Sequence, residues 1–373
     1  MLFGRDYVLY HLSNEDVYLG DGSFTGNTRK ILSGVKQVDG YDDGAMFLMN
    51  DNTLYKYRIH MLGFEKISTI VLPSSVAHKT IKQIYCKSHN AGIIFTDKTI
   101  CLWGTSYTQL GIDTKYMNTI SLWDNKEGKA IQLALSDNYI LALVVFDDKD
   151  DRSVCGDIYF CGSDYNLDHR VSCYNRKPKL IMIGYKLKGK VRSIECGKEC
   201  SACITVDYDI YMWRMNRDGE LGHSMGCYKP NWSPRRIIFS HSLSPPKCLL
   251  MSCGFNHTAA IFKKTEDGYS WYSVKTWGYN SQALDICSGG WKAQEPTEIR
   301  DDKIRQHLDN LNYTMLEKYE TRVKIFTGNG ITAIISDESD QVSSLQRLED
   351  RNEFESSKID EKMELLKYFK MIL

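Results

Sequence analysis

The chain has no excess charge of either sign. Lys plus Arg and Asp plus Glu stand at 47 each over 373 residues, so no global field draws it to nucleic acid. It has no Lys/Arg cluster of the kind that directs nuclear import. Its opening Met1-Leu2-Phe3-Gly4-Arg5-Asp6 lacks the apolar core of a signal peptide, and its longest aliphatic run, Ile140 to Phe146, is far too short to cross a bilayer. No nucleophile elbow, phosphate-binding glycine loop or paired metal-ligand spacing is present, and the final residues hold no Cys for prenylation. These absences predict a cytoplasmic protein, with the nucleus as a second compartment. They also predict no catalytic residue, cofactor or metal, and no membrane or direct nucleic-acid partner. In that compartment the twelve cysteines read as reduced, buried thiols.

What the chain does have is a motif repeated six times, which pairs a short apolar strand followed by Cys-Gly or a relic of it with a second strand ending in Trp-Gly. The clearest copy is Met251-Ser252-Cys253-Gly254, His257-Thr258-Ala259-Ala260-Ile261 and Val274-Lys275-Thr276-Trp277-Gly278. Aligned on Met251, the other copies begin at Val38, Ile84, Ala134, Ile194 and Ile325, with separations of 46, 50, 60, 57 and 74 residues. That period is in the range of propeller blades. Tyr57 and Cys161 stand where Trp is expected, and Lys87 and Asp137 where Gly follows Cys.

Segments such as Ile140 to Phe146 and Ala259 to Phe262 are apolar and of strand length, and Gly, Asn and Asp punctuate them. One such sheet cannot bury both faces. Stacking the sheets around an axis covers each with its neighbours, and a large aromatic at a fixed place fills the wedge between them. The expectation is an all-β propeller over residues 1–336 with a charged, partly helical tail over 337–373. Ile331 to Ser336 has no Trp-Gly strand of its own and is expected to pair with Tyr7 to Leu12 and close the ring. Seven blades are expected, six of them plain in sequence, with the seventh drawn from Met1 to Gly4 or from the 284–322 insertion; six blades is the alternative.

After the second strand, the better copies continue as Trp213-Arg214-Met215-Asn216-Arg217-Asp218-Gly219-Glu220-Leu221-Gly222, echoed from Trp103 to Gly111. With Cys-Gly-x-x-His-Thr at Cys253 to Thr258, this pattern resembles the regulator of chromosome condensation repeat family over about residues 5–336. The resemblance implies a propeller and, for function, one of two roles. Single-propeller members serve as accessory subunits of larger complexes, among them the Elongator and diphthamide-pathway partner of a zinc protein. The family's best-known activity is guanine-nucleotide exchange on a small GTPase of the Ran type. No counterpart of the family's Gly-Val-Ile-Gly wedge follows the Trp-Gly strands here, so the scaffold or regulatory-subunit role leads and exchange is the alternative. The expected partner is another protein, a small GTPase or a subunit of a larger complex, met by a monomeric propeller.

Cys196, Cys200 and Cys203 have the Cys-x-x-x-Cys-x-x-Cys spacing of a radical iron–sulfur site. The repeat places them on Cys253, His257 and Ala260, and strand alternation scatters them over two faces, so they are expected to be core thiols. His257 is read as a repeat position. Candidate binding residues therefore lie where the period is broken, since loops on a rigid scaffold are free to bind. The acidic tip Asp147, Asp148, Asp150 and Asp151 suits either a solvated hairpin end or a basic partner. Ile304, Leu308, Leu311, Met315 and Tyr319 recur at helical spacing. In the tail, Ser357 and Asp360 form a capping-box pattern ahead of an apolar side holding Met363, Leu366 and Phe369. That side folds back on the propeller or recruits another protein.

Overall fold

In the computed structural model the repeat becomes a ring of small antiparallel sheets. The structure describes residues 2–3, 7–12, 14–21, 28–41, 44–59, 65–87, 90–104, 118–120, 122–123, 126–137, 139–146, 155–162, 181–183, 185–223, 231–239, 245–266, 269–279, 292–298, 323–327 and 332–336. The helical spacing at 304–319 and the tail 337–373 lie outside them.

Six four-stranded blades follow in chain order. Blade 1 is Leu2–Phe3, Tyr7–His11, Val17–Asp21 and Thr28–Leu32. Blade 2 is Val35–Tyr41, Gly44–Met49, Leu54–Ile59 and Glu65–Ile70. Blade 3 is Ile81–Lys87, Asn90–Phe95, Ile100–Gly104 and Asn118–Ile120. Blade 4 is Lys129–Leu135, Tyr139–Val145, Asp157–Gly162 and Ile181–Ile183. Blade 5 is Val191–Cys196, Cys200–Thr205, Ile210–Arg214 and Asn231–Arg236. Blade 6 is Lys247–Cys253, His257–Glu266, Tyr269–Tyr279 and Lys292–Glu298. Val323–Thr327 and Thr332–Ser336 pair as the described part of blade 7. Leu2–Phe3 is the inner strand of blade 1, the blade that raises the six repeats plain in sequence to seven.

Each sheet is apolar on both sides, and the core is accordingly a series of layers between blades. Phe47 and Tyr57 pack with Tyr7 and Leu9 between blades 1 and 2, and Met46 and Leu54 pack with Ile93 and Phe95 between blades 2 and 3. Ile94 and Leu102 meet Ile140 and Val144 between blades 3 and 4. Leu141 and Phe160 meet Ile194 and Trp213 between blades 4 and 5, and Met212 and Leu221 meet Phe262 and Trp277 between blades 5 and 6. The second strands of blades 3 and 5, Asn90–Phe95 and Cys200–Thr205, are buried at every residue, which explains why they show no alternation of apolar and polar residues: covered on both faces, they carry small or apolar side chains with only Asn90, Ser201 and Thr205 polar.

The turn from second to third strand is one piece of geometry used four times. Glu15, Asn52, Lys98 and Tyr208 all adopt positive φ, between 65° and 71°. Each donates its N–H to the carbonyl three residues back, on Leu12, Met49, Phe95 and Thr205. The inner strands leave an edge toward the axis, and side chains cover it. Gln37 of blade 2 accepts from Ile84 N and donates to Lys82 O, and Gln132 of blade 4 brackets Ile194 in the same way.

Two sequence expectations are corrected. Thr332–Ser336 and Tyr7–His11 lie in different sheets. Both edges of Tyr7–His11 are already taken, by Leu2–Phe3 and Val17–Asp21, so it cannot accept the C-terminal strand. In blade 4 the repeat is one residue out of step. A bulge at Ala130/Gln132 matches those at Val35/Gln37, Val191/Ser193 and Cys248/Leu250. That register puts Leu133 on the Met251 position in place of Ala134, and Ser136 on the glycine position in place of Asp137.

Candidate interaction faces

The two ends of the strands make two faces. One carries the Cys-Gly and Trp-Gly motifs, and the repeat residues there tie blade to blade. Asn90 donates to the carbonyls of Ser136 and Asp137 at 2.6 and 3.0 Å, Ser136 Oγ donates to Lys198 O, and Lys198 N donates to Gly254 O at 3.1 Å. These bonds hoop blades 3, 4, 5 and 6 together. The Asn216 to Gly222 loop completes the joint between blades 5 and 6. Asn216 Oδ1 accepts from Leu221 N, Glu220 takes up the Arg217 and Asp218 amides, and the Glu220 carbonyl accepts from Trp277 Nε1 at 2.9 Å and Thr258 Oγ1 at 3.2 Å. Gly222 is at φ +63°, and a Cβ there would stand 2.9 Å from the Trp277 ring, so the second glycine of this loop is required by close approach. Burial pushes the Glu220 carboxyl up.

Where blade 6 has Gly278 at φ +99°, blade 5 has Arg214 at φ +86°. Its guanidinium lies 3.8 Å from the Tyr139 ring centroid and 5.5 Å from that of Phe160. Tyr139 in turn hydrogen-bonds Cys200 O and Ser201 Oγ. Backbone strain at a non-glycine residue is thus held in place by two aromatic rings and a buried network.

Near the axis on this face, Lys87 reaches past blade 4 and donates to Cys196 O of blade 5. It acts on two carboxyls, Asp39 of blade 2 and Glu195 of blade 5. Asp39 accepts from Cys86 N at 2.8 Å and Gly40 N at 3.0 Å. Burial raises both carboxyls to about 7, opposed by the Lys87 charge.

The thiols are core residues. Cys196 and Cys203 face blade 4, while Cys200 and Cys253 face each other's blades across the next layer. Burial pushes Cys196 up to about 12 and raises Cys203, and the Cys200 neighbour together with burial raises Cys253. High thiol pKa and lack of exposure make poor ligands and nucleophiles, and no cluster of three or more ligating groups occurs among the described residues. His257 is buried and paired across the ladder with Gly278, as a repeat position should be.

The opposite face carries the second-to-third-strand turns. The paired ends of those hairpins are 14 residues apart in blades 1, 2, 3 and 5: Tyr7 and Asp21, Gly44 and Arg58, Asn90 and Gly104, Cys200 and Arg214. They are 23 apart in blade 4, from Tyr139 to Gly162, and 21 in blade 6, from His257 to Gly278. The blade 4 excess contains Asp147, Asp148, Asp150 and Asp151, which lie outside the described residues; the strand ends on either side, Val145 and Asp157, are at this face. The blade 6 excess is a hairpin whose ladder continues to Glu266↔Tyr269. Tyr269 is 79% exposed at its end, Lys264 lies over the Trp271 ring and pairs with Glu266. Sequence reading passed over this hairpin, although the longer His-to-Trp-Gly interval is visible in it. Ser336 ends the second strand of blade 7 at this face too; Met363, Leu366 and Phe369 lie outside the described residues.

These features define a protein whose rigid ring exposes variable turns on one side: a β-propeller. Comparison with known proteins makes the class narrower. No family model matches the chain. An RCC1 domain-containing protein of Dictyostelium discoideum is 28% identical over 102 residues, 23% of this chain, and the match spans only 19% of that protein's length. Among solved structures, Prp20p of Saccharomyces cerevisiae, characterised for its binding to Gsp1p and histones, superposes with a TM-score of 0.60 at 14% identity over 94% of this chain and 85% of its own. Human WBSCR16 superposes at 0.59 with 17% identity over 83% and 76%. The yeast RCC1 (Prp20) chain seen bound to Kap60 gives 0.60 at 14% identity over 94% and 83%. The chain has the fold of the RCC1-type propellers on which it superposes.

Proposed function

We propose that the chain is a non-catalytic interaction platform, a scaffold or regulatory subunit that takes a protein partner on its turn face. One observation carries the reading. The acidic blade 4 insertion, the long blade 6 hairpin and the departure point of the tail all open on that side, whereas the repeat loops opposite are committed to bonds between blades. In this reading Asp147, Asp148, Asp150 and Asp151 steer a basic partner, changing mainly its on-rate. Met363, Leu366 and Phe369 contribute apolar contact, with full burial of Leu366 or Phe369 worth about 1.5–3 kcal/mol each. The test replaces Leu366 and Phe369 with Asp and compares partner pull-down with melting temperature. Lost binding at unchanged melting supports the platform, and lowered melting with binding retained assigns the tail to the ring's own packing.

A second reading is exchange on a small GTPase. An exchange factor needs a projecting element that separates the nucleotide's contacts, and the blade 6 hairpin beyond Lys263 is such an element. Release of a fluorescent guanine nucleotide from a Ran-type GTPase separates the two. A rate that climbs with the concentration of this chain decides for exchange, and an unchanged rate for the platform.

A further inference from the structure

The turn face also carries a basic patch at the boundary of blades 5 and 6. Lys186, Lys188 and Lys190 are exposed on the turn leading into blade 5. Arg192 and Lys247 both lie over the Tyr208 ring, 4.9 and 5.5 Å from its centroid. Backbone bonds fix the cluster: Val206 N donates to Lys190 O at 2.9 Å and Cys248 N to Tyr208 O at 3.1 Å. The Tyr208 turn itself sets only Asp207 and Asp209 against these cations, and Asp209 is paired with Arg236 at 2.6 Å. Lys247 stands directly opposite Lys263 in the ladder, which adds to the positive charge of this edge. Lys186, Lys188, Lys190 and Lys247, all exposed, gather positive charge on one side of a neutral chain, a site suited to a polyanion.

We propose that this patch docks the acidic stretch of the same chain that follows Ser336, residues 337–355. That stretch holds seven carboxylates against Arg347 and Arg351, the opposite sign to the patch. It also starts in the right place. Ser336 ends a strand of blade 7 at the turn face, and the inner strand of blade 7 packs on blade 6. The patch is then one to two sheet spacings of about 10 Å away, and 19 residues extend to roughly 60 Å. Individual surface pairs are weak. Tethering gives the segment an effective concentration in the millimolar range, so several weak pairs suffice. Docking would draw the tail across the turn face and carry Met363, Leu366 and Phe369 beside it.

Zero-length carbodiimide crosslinking of the full chain, with peptide mapping of the monomer band, tests this. We expect amide links from Lys188, Lys190 or Lys247 to carboxylates of 337–355. They should fall several-fold at about 0.5 M salt, where the screening length is only a few ångströms. They should also fall in a Lys188→Glu, Lys190→Glu, Lys247→Glu variant of unchanged melting temperature. A Glu349→Lys, Asp350→Lys, Glu353→Lys variant leaves the blades untouched and should lose the links as well. Links from the tail to lysines elsewhere, links to Asp147–Asp151 in their place, links confined to a dimer band, or none at all would each overturn the docking. All are read on the chain alone, so that result leaves the partner reading standing.

Discussion

Lys87 of blade 3 donates a hydrogen bond to the carbonyl oxygen of Cys196 of blade 5, passing the intervening blade 4. Its place in the repeat belongs to glycine, as at Gly197 and Gly254, so a side chain occurs there because it spans the axis. Lys87→Met keeps the stem and removes the charge, leaving Asp39 and Glu195 without their cation. At pH 8 the expected loss is about 1–3 kcal/mol, the cost of an orphaned buried polar group, measured by denaturant unfolding. A loss below that range would mean that water replaces the ammonium.

The same cluster makes stability depend on pH. Asp39 and Glu195 titrate near 7 in the folded chain and about 3.9 and 4.3 when unfolded. A raised folded pKa means that the folded state keeps protons which the unfolded chain releases. The resulting stabilisation is complete below about pH 4 and disappears as pH rises through 7. Both side chains keep some exposure, which reduces the slope. Between pH 5 and 8 the melting temperature of the native chain should fall more than that of Glu195→Gln, and parallel curves would remove the cluster from the account.

Trp277 joins blades 5 and 6 by burial and by its bond to Glu220 O. Trp277→Ala should cost about 3–5 kcal/mol, as expected for emptying a large core aromatic. Trp277→Phe keeps most of the volume and should cost less, with roughly 1 kcal/mol of it from the lost hydrogen bond. Equilibrium unfolding of the two variants separates packing from polarity.

At Arg214 two effects oppose each other. Left-handed backbone costs a non-glycine residue about 1–2 kcal/mol, while a guanidinium over aromatic rings returns about 0.5–2 kcal/mol. Arg214→Gly, which relieves the first and loses the second, should be near neutral. Arg214→Ala keeps the strain and loses the stacking, and should be the less stable by about 1 kcal/mol in the same unfolding assay.

How much of this was legible in sequence follows from where the repeat is informative. The motif marked the Cys-Gly and Trp-Gly strands of blades 2 to 6 and, through Cys196, Cys200 and Cys203 falling on repeat positions, the burial of those thiols, while the fourth strands, which carry no motif, were not marked. The blade 4 bulge escaped because Leu133 and Ala134 are both apolar, so hydrophobicity alone does not set the register. The inner strand Leu2–Phe3 falls within Met1 to Gly4, one of the two segments expected to supply the extra blade; two residues carry no period, so sequence alone could not choose between them. Lys87 looked like erosion of a glycine, since its partners lie 48 and 108 positions away at Asp39 and Glu195. The basic patch is invisible for the same reason: it is gathered from four separate stretches that only the ring brings together.

The first and last described blades share no sheet, since blade 1 draws all four strands from the start of the chain and Val323–Thr327 pairs with Thr332–Ser336. The ring is in this respect a split washer, not a welded band. Among the described residues, tension applied between the two ends meets no common ladder of backbone hydrogen bonds at that seam. Under a pulling force the ring should part there first, at loads below those that shear a blade, and blades 2 to 6 would survive the opening as an intact arc.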